Sequence, residues 1–253
     1  MAYTTIDDPT EYFNTVLWTG TNSGETISGV GFQPDLNWTK QRTSTQPHVL
    51  VDSVRGVEKT MYSNANTAEA TLSDGLTAFN SDGFVHGSNN AYCEASNTFV
   101  SWSWKAGGST SSNTTGDINS TVSLDATSKF SIVSYEGNGT DLSSTTQTVG
   151  HGLSGVDCVI IKNRDRAVEW IVKHKNLTTD KILYLDLSDA ESTPAGGNQG
   201  HIADLSSSSS TFTLTSNSSN VNNVNVSGED YIAYCFANVQ GYSKFGGYTG
   251  NGS

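Results

Sequence analysis

The 253-residue chain has few cysteines, few charges and no long apolar run. Its three cysteines are too few for the disulfide framework that supports small secreted domains. No apolar run approaches the roughly 18 residues of a membrane span, and residues 1–10 lack the basic start and apolar centre of a signal peptide. We therefore expect a protein that neither inserts into a membrane nor depends on disulfides.

Charge is scarce and unbalanced. Only 15% of the residues are charged, against roughly a quarter in an average soluble domain. Acidic residues outnumber basic ones by 25 to 13, and the formal charge of −12 disfavours contact with nucleic-acid phosphates or anionic lipids. We expect no nucleic-acid partner. The 88 Ser, Thr and Asn residues, with 25 glycines, make up about 45% of the chain and favour turns and strands over helices.

The chain contains an internal repeat, visible as two halves with matching apolar positions. The aligned segments are 31–42 with 152–164, 48–51 with 170–173, 61–62 with 183–184, 83–85 with 211–213, and 99–104 with 231–236. The separation is 122 residues at Met61 and Leu183 and drifts later through loops. The sequence therefore predicts one module present twice.

Period-two alternation indicates that these modules are built from strands. In residues 99–104, Trp102 and Trp104 lie on one side of the predicted strand, and we expect that side to be buried. The apolar run 158–161 is typical of a strand covered on both faces. Helical signals are limited to short stretches such as 64–72. We predict an all-β protein of two tandem antiparallel β-sandwich modules, jelly-roll-like, with few short helical turns.

The repeat also predicts segment boundaries. They are an N-terminal docking arm (1–14), a first sandwich repeat (15–107), a Ser/Thr/Gly-rich linker (108–128), a second sandwich repeat (129–241), and residues 242–253. The arm has no evident counterpart before the second unit. The linker is expected to be extended and partly docked, since Ile118, Val122 and Leu124 alternate as in a strand. The last segment either starts a third repeat or is a terminal strand that completes a sheet in a neighbouring molecule.

No catalytic or metal-binding pattern stands out. The five histidines have no zinc-motif spacing, and there is no Gly-x-Ser-x-Gly elbow. Cys158 and Cys235 fall in apolar strands, which leaves Cys93 as the thiol expected in a loop. We predict no enzymatic activity, no catalytic residue, no cofactor and no metal site, with calcium at loops containing Asp82 or Asp117 left open. A glycan-degrading enzyme would need two carboxylates about 5 to 9.5 Å apart, which spacing alone does not supply.

Several stretches together resemble a known family. They are residues 1–9, 12–14, 33–36, 52–56, 79–84 and 102–108 in the first unit, and 130–140, 149–153, 161–164 and 231–237 in the second. These stretches resemble the tandem-repeat virion proteins, of fibre or decoration type, of marine tailed bacteriophages. The second unit lacks the Asp-Ser-x-Arg-Gly stretch of 52–56 and has 174–177 (His-Lys-Asn-Leu) instead, so that stretch is not required of every module.

The resemblance implies a non-enzymatic structural protein of the virion. Such a protein decorates the capsid or belongs to a fibre or other appendage, and it mediates assembly and host attachment. It is made in the host cytoplasm and resides in the extracellular particle. We expect a homo-oligomer, a trimer, that contacts other virion proteins of the capsid or tail. Tyr3, Tyr12 and Phe13 in the arm are the candidate virion-docking residues.

The alternative is a carbohydrate-binding adhesin that recognises host polysaccharide through aromatic side chains in loops. Aromatic rings stack on sugar rings, and the chain has five tryptophans and ten tyrosines. Most of these recur at strand positions in both halves, which favours core packing. Tyr62 and Tyr92 are the two we expect to be exposed, and they are the candidate glycan-binding residues.

Overall fold

The computed structural model of the protein describes residues 4–194, 200–216 and 223–251. Within these residues the fold is almost entirely β, with nineteen strands in four antiparallel sheets. Helical structure in the same ranges is limited to α1 (Asn90–Cys93) and a 3-10 turn (Pro9–Glu11). The predicted all-β class is therefore confirmed. The helical turns expected within 64–72 do not form, and this stretch contains a two-residue strand instead.

The strands divide into two modules. The first module contains β1 (Phe13–Thr19), β2 (Glu25–Ser28), β3 (Leu36–Gln41), β4 (Val49–Asp52), β5 (Lys59–Tyr62), β6 (Ala70–Thr71), β7 (Leu76–Asn80), β8 (Gly83–His86) and β9 (Thr98–Trp104). The second module contains β10 (Ser111–Asn113), β11 (Ser120–Asp125), β12 (Phe130–Glu136), β13 (Gln147–Gly150), β14 (Cys158–Asn163), β15 (Ile171–His174), β16 (Leu183–Tyr184), β17 (His201–Ile202), β18 (Thr211–Thr215) and β19 (Asp230–Phe236).

Each module is a large sheet packed against a three-stranded sheet. The large sheets have the orders β1-β9-β3-β4-β5-β6 and β10-β11-β12-β19-β14-β15-β16, and the small sheets have the orders β2-β8-β7 and β13-β18-β17. The two topologies coincide when β12, β19, β14, β15 and β16 are placed on β1, β9, β3, β4 and β5. The predicted pair of antiparallel β-sandwich modules is what the chain forms.

Strand register repeats along with topology. Val49 lies opposite Tyr62, and the residues 122 positions later, Ile171 and Tyr184, lie opposite each other in the same way. A one-residue slip would turn every side chain to the other face of a sheet. The duplicated module has therefore kept its register together with its strand order.

Polar anchors repeat as well. Lys40 Nζ donates hydrogen bonds to the carbonyls of Gln41 and Ser44, at 2.6 and 2.9 Å. Lys162 Nζ makes the corresponding bonds, at 2.7 Å to the carbonyl of Asn163 and 2.9 Å to that of Arg166. These bonds connect the lysine to the loop after the strand in both modules. Lys162 is fully buried and needs such acceptors to offset its lost hydration, whereas Lys40 is partly exposed.

The side chains that face the three-stranded sheet on the central strand of each large sheet include small ones. Ser101 and Ser103 of β9 are fully buried, and so are Ala233 and Cys235 of β19. Large side chains of the small sheet, such as Phe84 in the first module, fill the space that these small residues leave. The alternation of 99–104 predicted the two faces of β9, but the assignment of the tryptophan side to the core was wrong.

The other faces of the two large sheets pack against each other. Their contact, called the seam here, is a third apolar cluster with members from both modules, including Leu50, Met61, Ile132 and Ile232. The protein exposes 10954 Å². A single globular protein of this mass is expected to expose about 10,800 Å², and two separate proteins of half the mass about 13,000 Å² in total. The exposed area is therefore that of one globular protein of this mass and not that of two separate modules.

Two predicted boundaries were wrong. Residues 108–128 are not a linker, because they contain β10 and β11, which extend the second large sheet, and Val122 is buried in the core. The arm 1–14 is not separate either. Its last two residues begin β1, which corresponds to β12 and pairs with β9 as β12 pairs with β19. At the other end, residues 244–251 form no strand within the chain.

Candidate functional site

The seam contains a buried ion pair contributed by the first module. Arg55 lies against Asp52, and both side chains are fully buried. Asp52 also accepts hydrogen bonds from the backbone N–H groups of Val54 and Arg55, which closes the turn after β4. The hydroxyl of Tyr234, from the second module, donates a hydrogen bond of 2.8 Å to Asp52. Asp52 therefore both closes this turn and bonds it to the second module.

Glu69 extends this pair to a basic residue of the second module. Its carboxylate lies 3.0 Å from Arg55 and 3.0 Å from Arg164. Burial would raise the pKa of Glu69, but the hydrogen bonds and charges of these two arginines lower it below its usual range. Burial would likewise lower the pKa of Arg55, but the neighbouring Asp52 outweighs it and the pKa is raised. Glu69 and Arg55 are therefore both charged in the folded protein.

Trp170 is the second tie across the seam. It is fully buried, and its indole N–H donates to the carbonyls of Tyr62 and Ala65 in the first module, at 3.0 and 3.2 Å. Its ring stacks on Tyr234 with 6.5 Å between centroids. The aligned residue in the first module is His48, which is partly exposed.

The seam explains why the Asp-Ser-x-Arg-Gly stretch occurs once. In the first module this turn contacts the second module through Tyr234. The aligned turn of the second module has Lys175, which pairs at 2.7 Å with Asp157 of its own module. The motif therefore serves the contact between modules, and a module whose turn has no such neighbour does not need it.

An apolar cavity of about 340 Å³ opens at one end of the seam. Aromatic rings of both modules line it, among them Phe13, Trp104, Phe130, Phe236 and Phe245. Phe13 and Trp104 are 4.8 Å apart, and the corresponding pair, Phe130 and Phe236, is 4.9 Å apart. Equivalent aromatic pairs of the two modules thus meet at this end.

The candidate virion-docking residues are only partly placed. Tyr3 lies outside the described residues. Tyr12 packs on Tyr242 at 6.1 Å and under the ammonium of Lys105. Phe13 belongs to β1 and lines the seam cavity, so it is a structural residue of the first module and not part of a free arm. The structure does not bring Tyr12 and Phe13 together on one exposed surface.

The two candidate glycan-binding residues differ in exposure. Tyr62 ends β5 and is partly exposed. Tyr92 is fully buried, and the prediction that it is exposed was wrong. The Asn89 side chain caps α1 and thereby directs Tyr92 inward, where its ring stacks on His86 at 5.6 Å. Cys93, on the same helix, is also buried, and burial raises the pKa of its thiol.

A cluster of three tryptophans is partly exposed, including Trp102 and Trp104, which were expected to be buried. Trp38, Trp102 and Trp104 line a shallow cavity of about 410 Å³ together with His48. We call these four residues the tryptophan patch. Trp38 lies opposite Trp102 across β3 and β9, so the rings share one sheet face. The recurrence of aromatic residues at these positions did not distinguish burial in a core from burial by another surface.

Acidic loop residues considered for calcium have structural partners. Asp82 accepts hydrogen bonds from the backbone N–H groups of Gly29 and Gly31, which lower its pKa. Asp117 accepts from the side chain and backbone of Thr148 in the same way. In the part of the chain that the structure describes, no three His, Cys, Asp or Glu side chains gather as a metal site requires.

His151 gives the fold a defined pH dependence. Its Nδ1 accepts the backbone N–H of Leu153, and burial lowers its pKa to about 4. In the unfolded chain the pKa of His151 is about 6.5. Between about pH 6.5 and 4, the imidazole is therefore protonated in the unfolded chain but still neutral in the folded one. Stability should therefore fall as the pH falls through this window, by on the order of 3 kcal/mol from His151.

The prediction for His151 is tested by urea unfolding at several pH values. His151→Asn keeps an acceptor for Leu153 and should show a shallower loss of stability below pH 6.5. His174→Asn is the matched control, because His174 Nδ1 accepts from Asn176 in the same way but lies in a partly exposed position. Equal pH dependence of the wild type and His151→Asn would contradict the prediction.

These observations define an all-β protein of two duplicated sandwich modules joined by a buried seam. A family described as a domain of unknown function (DUF7483) matches residues 8–253, and the chain belongs to that family. The match spans both modules. No curated protein and no solved structure matches the chain. No helix among the described residues has the length and apolar character needed to cross a bilayer.

Proposed function

We propose that the protein is a non-enzymatic structural component of a bacteriophage virion. It decorates the capsid or forms part of a fibre or appendage, and its partners are copies of itself and other capsid or tail proteins. It reaches the extracellular particle after synthesis in the host cytoplasm, and it contributes to assembly and host attachment.

The observation that carries this proposal is the seam. A display protein needs a body that keeps its shape, and here two modules are held together by the apolar cluster of the seam, by the Glu69–Arg164 ion pair and by the hydrogen bond from Tyr234 to Asp52. The abundance of Ser, Thr and Asn with only 15% charged residues supports a polar surface that depends little on ionic contacts. Repetition of a folded module is an economical way to build such a body.

The proposal is tested on particles purified from the phage that encodes the chain. Mass spectrometry and electron microscopy should find the protein in the virion at a fixed copy number, and its density should be missing from particles of a mutant with a stop codon in the gene. Detection in infected cells but not in purified particles would contradict the proposal.

Carbohydrate binding through Tyr62 and Tyr92 together loses support because Tyr92 is buried. Tyr92 is buried and offers no face to a sugar, which leaves Tyr62 as the remaining predicted residue. Recognition of host polysaccharide at Tyr62 stays a prediction.

A further inference from the structure

The tryptophan patch continues the surface that forms the seam. Trp38 and Trp104 pack against the apolar cluster of the seam, and the ring of Trp104 lies 6.2 Å from that of Phe236 in the second module. On the same sheet face beyond Trp104, Trp102 is partly exposed and Val100 is buried. Leu17 of β1, which lies on this face, is 59% exposed. The face therefore presents partly exposed indoles and one exposed leucine next to the seam.

The second module shows what covers this face when a partner is present. Tyr234 occupies the position of Trp102, because each lies two residues before the end of the corresponding strand, β19 or β9. Tyr234 is 1% exposed, since the first module packs on it and Asp52 accepts its hydroxyl. Trp102 is partly exposed and has no such neighbour in the described chain. Both faces contribute to the seam, but the position of Tyr234 is covered by the other module and the equivalent position of Trp102 is partly open.

We propose that the tryptophan patch is the surface through which copies of this chain associate. The chain already covers this face with its own module in one instance, and the patch is continuous with that contact. Tryptophan is also the side chain that most often dominates the centre of protein interfaces. The proposal concerns self-association alone and does not require that the protein belongs to a virion.

The chemistry of the patch fits a protein partner better than a sugar or an anion. Sugar sites combine an aromatic face with several polar groups that converge on the ligand, whereas the patch is three indoles and His48. The nearby ammonium of Lys40, on the same face, is already bound to two backbone carbonyls. Within the patch, His48 is the one titratable group, and burial lowers its pKa, so the patch residues themselves offer little positive charge to an anion.

The net charge predicts how self-association depends on salt concentration. Each copy has a formal charge of −12, so two copies repel each other at long range. Added salt screens this repulsion and leaves the apolar contact in place. Self-association through the patch should therefore become tighter as salt increases, whereas an interface based on ion pairs would become weaker.

The experiment measures the mass of the full chain in solution by sedimentation velocity and light scattering over a range of concentrations. The wild type should form assemblies that are multiples of 26.9 kDa. Trp102→Arg should raise the dissociation constant at least about 30-fold, as loss of a central interface tryptophan does. Thr15→Arg should act similarly, because Thr15 is exposed and lies opposite Trp102.

Two controls keep the outcome clear. Tyr248→Arg changes an aromatic residue that is 96% exposed and lies outside the patch, and it should leave the mass unchanged. If Trp102→Arg fails to fold, as judged by near-UV circular dichroism, Thr15→Arg provides the test, since it removes no core side chain.

The inference is overturned if the wild type is monomeric throughout or if Thr15→Arg keeps the wild-type assembly. A monomeric wild type whose tryptophan fluorescence shifts on adding polysaccharide would assign the patch to sugars instead.

Discussion

Replacing Arg55 with alanine is expected to lower the free energy of unfolding by about 3–5 kcal/mol, the usual cost of removing one partner of a buried ion pair. The guanidinium of Arg55 contacts Asp52 and Glu69, and the side chains of Arg55 and Asp52 are fully buried. Without Arg55, these carboxylates lose the charge that offsets their lost hydration. The Tyr234 hydroxyl also loses a donor 3.3 Å away. The loss therefore affects both the turn after β4 in the first module and its contact with the second module.

Urea unfolding of the full chain measures this effect. Arg42→Ala is the matched control, because Arg42 is the exposed first-module residue that corresponds to Arg164, and its removal should change stability by less than about 0.5 kcal/mol. If Arg55→Ala costs no more than Arg42→Ala, the ion cluster does not hold the seam together.

Replacing Trp170 with alanine is expected to lower the free energy of unfolding by about 3–5 kcal/mol, as for other fully buried large side chains. The indole fills the space between the modules and stacks on Tyr234. Its N–H also satisfies the carbonyls of Tyr62 and Ala65 in the other module. The variant leaves a cavity in the seam and removes the two indole hydrogen bonds that cross it.

The same substitution at the aligned position of the first module separates a seam effect from a module effect. His48→Ala removes a partly exposed side chain and should cost less than about 1 kcal/mol. Thermal and urea unfolding of both variants provide the comparison. Equal losses at the two positions would show that burial at the seam does not determine the contribution of Trp170.

Most of the fold could be predicted from the internal repeat, because the repeat identifies which strands of the two modules correspond. Aligned residues such as Val49 and Ile171 share strand, register and burial, because apolar alternation reports which face of a strand is covered. Alternation does not show which part of the molecule covers that face. Trp102 and Tyr234 look alike in sequence, yet only Tyr234 is buried, because a distant turn at Asp52 packs on it. The seam therefore could not be predicted from local pattern.

Two other predictions that rested on local composition were wrong. The hydroxyl-rich stretch before the second module suggested a linker, but the side chains of Ser120, Val122 and Ser123 in β11 are buried as a strand of the second sheet. The polar neighbours of Tyr92 suggested a loop, whereas the Asn89 cap makes a short helix that directs the ring inward. In both cases tertiary contacts, which the sequence does not display, outweighed composition.

The central claim is that the two modules behave as one cooperative body, and scanning calorimetry of the full chain tests it most directly. The account predicts a single unfolding transition whose calorimetric and van't Hoff enthalpies agree. Two resolved transitions, or a van't Hoff enthalpy near half the calorimetric value, would contradict a body that unfolds as one unit.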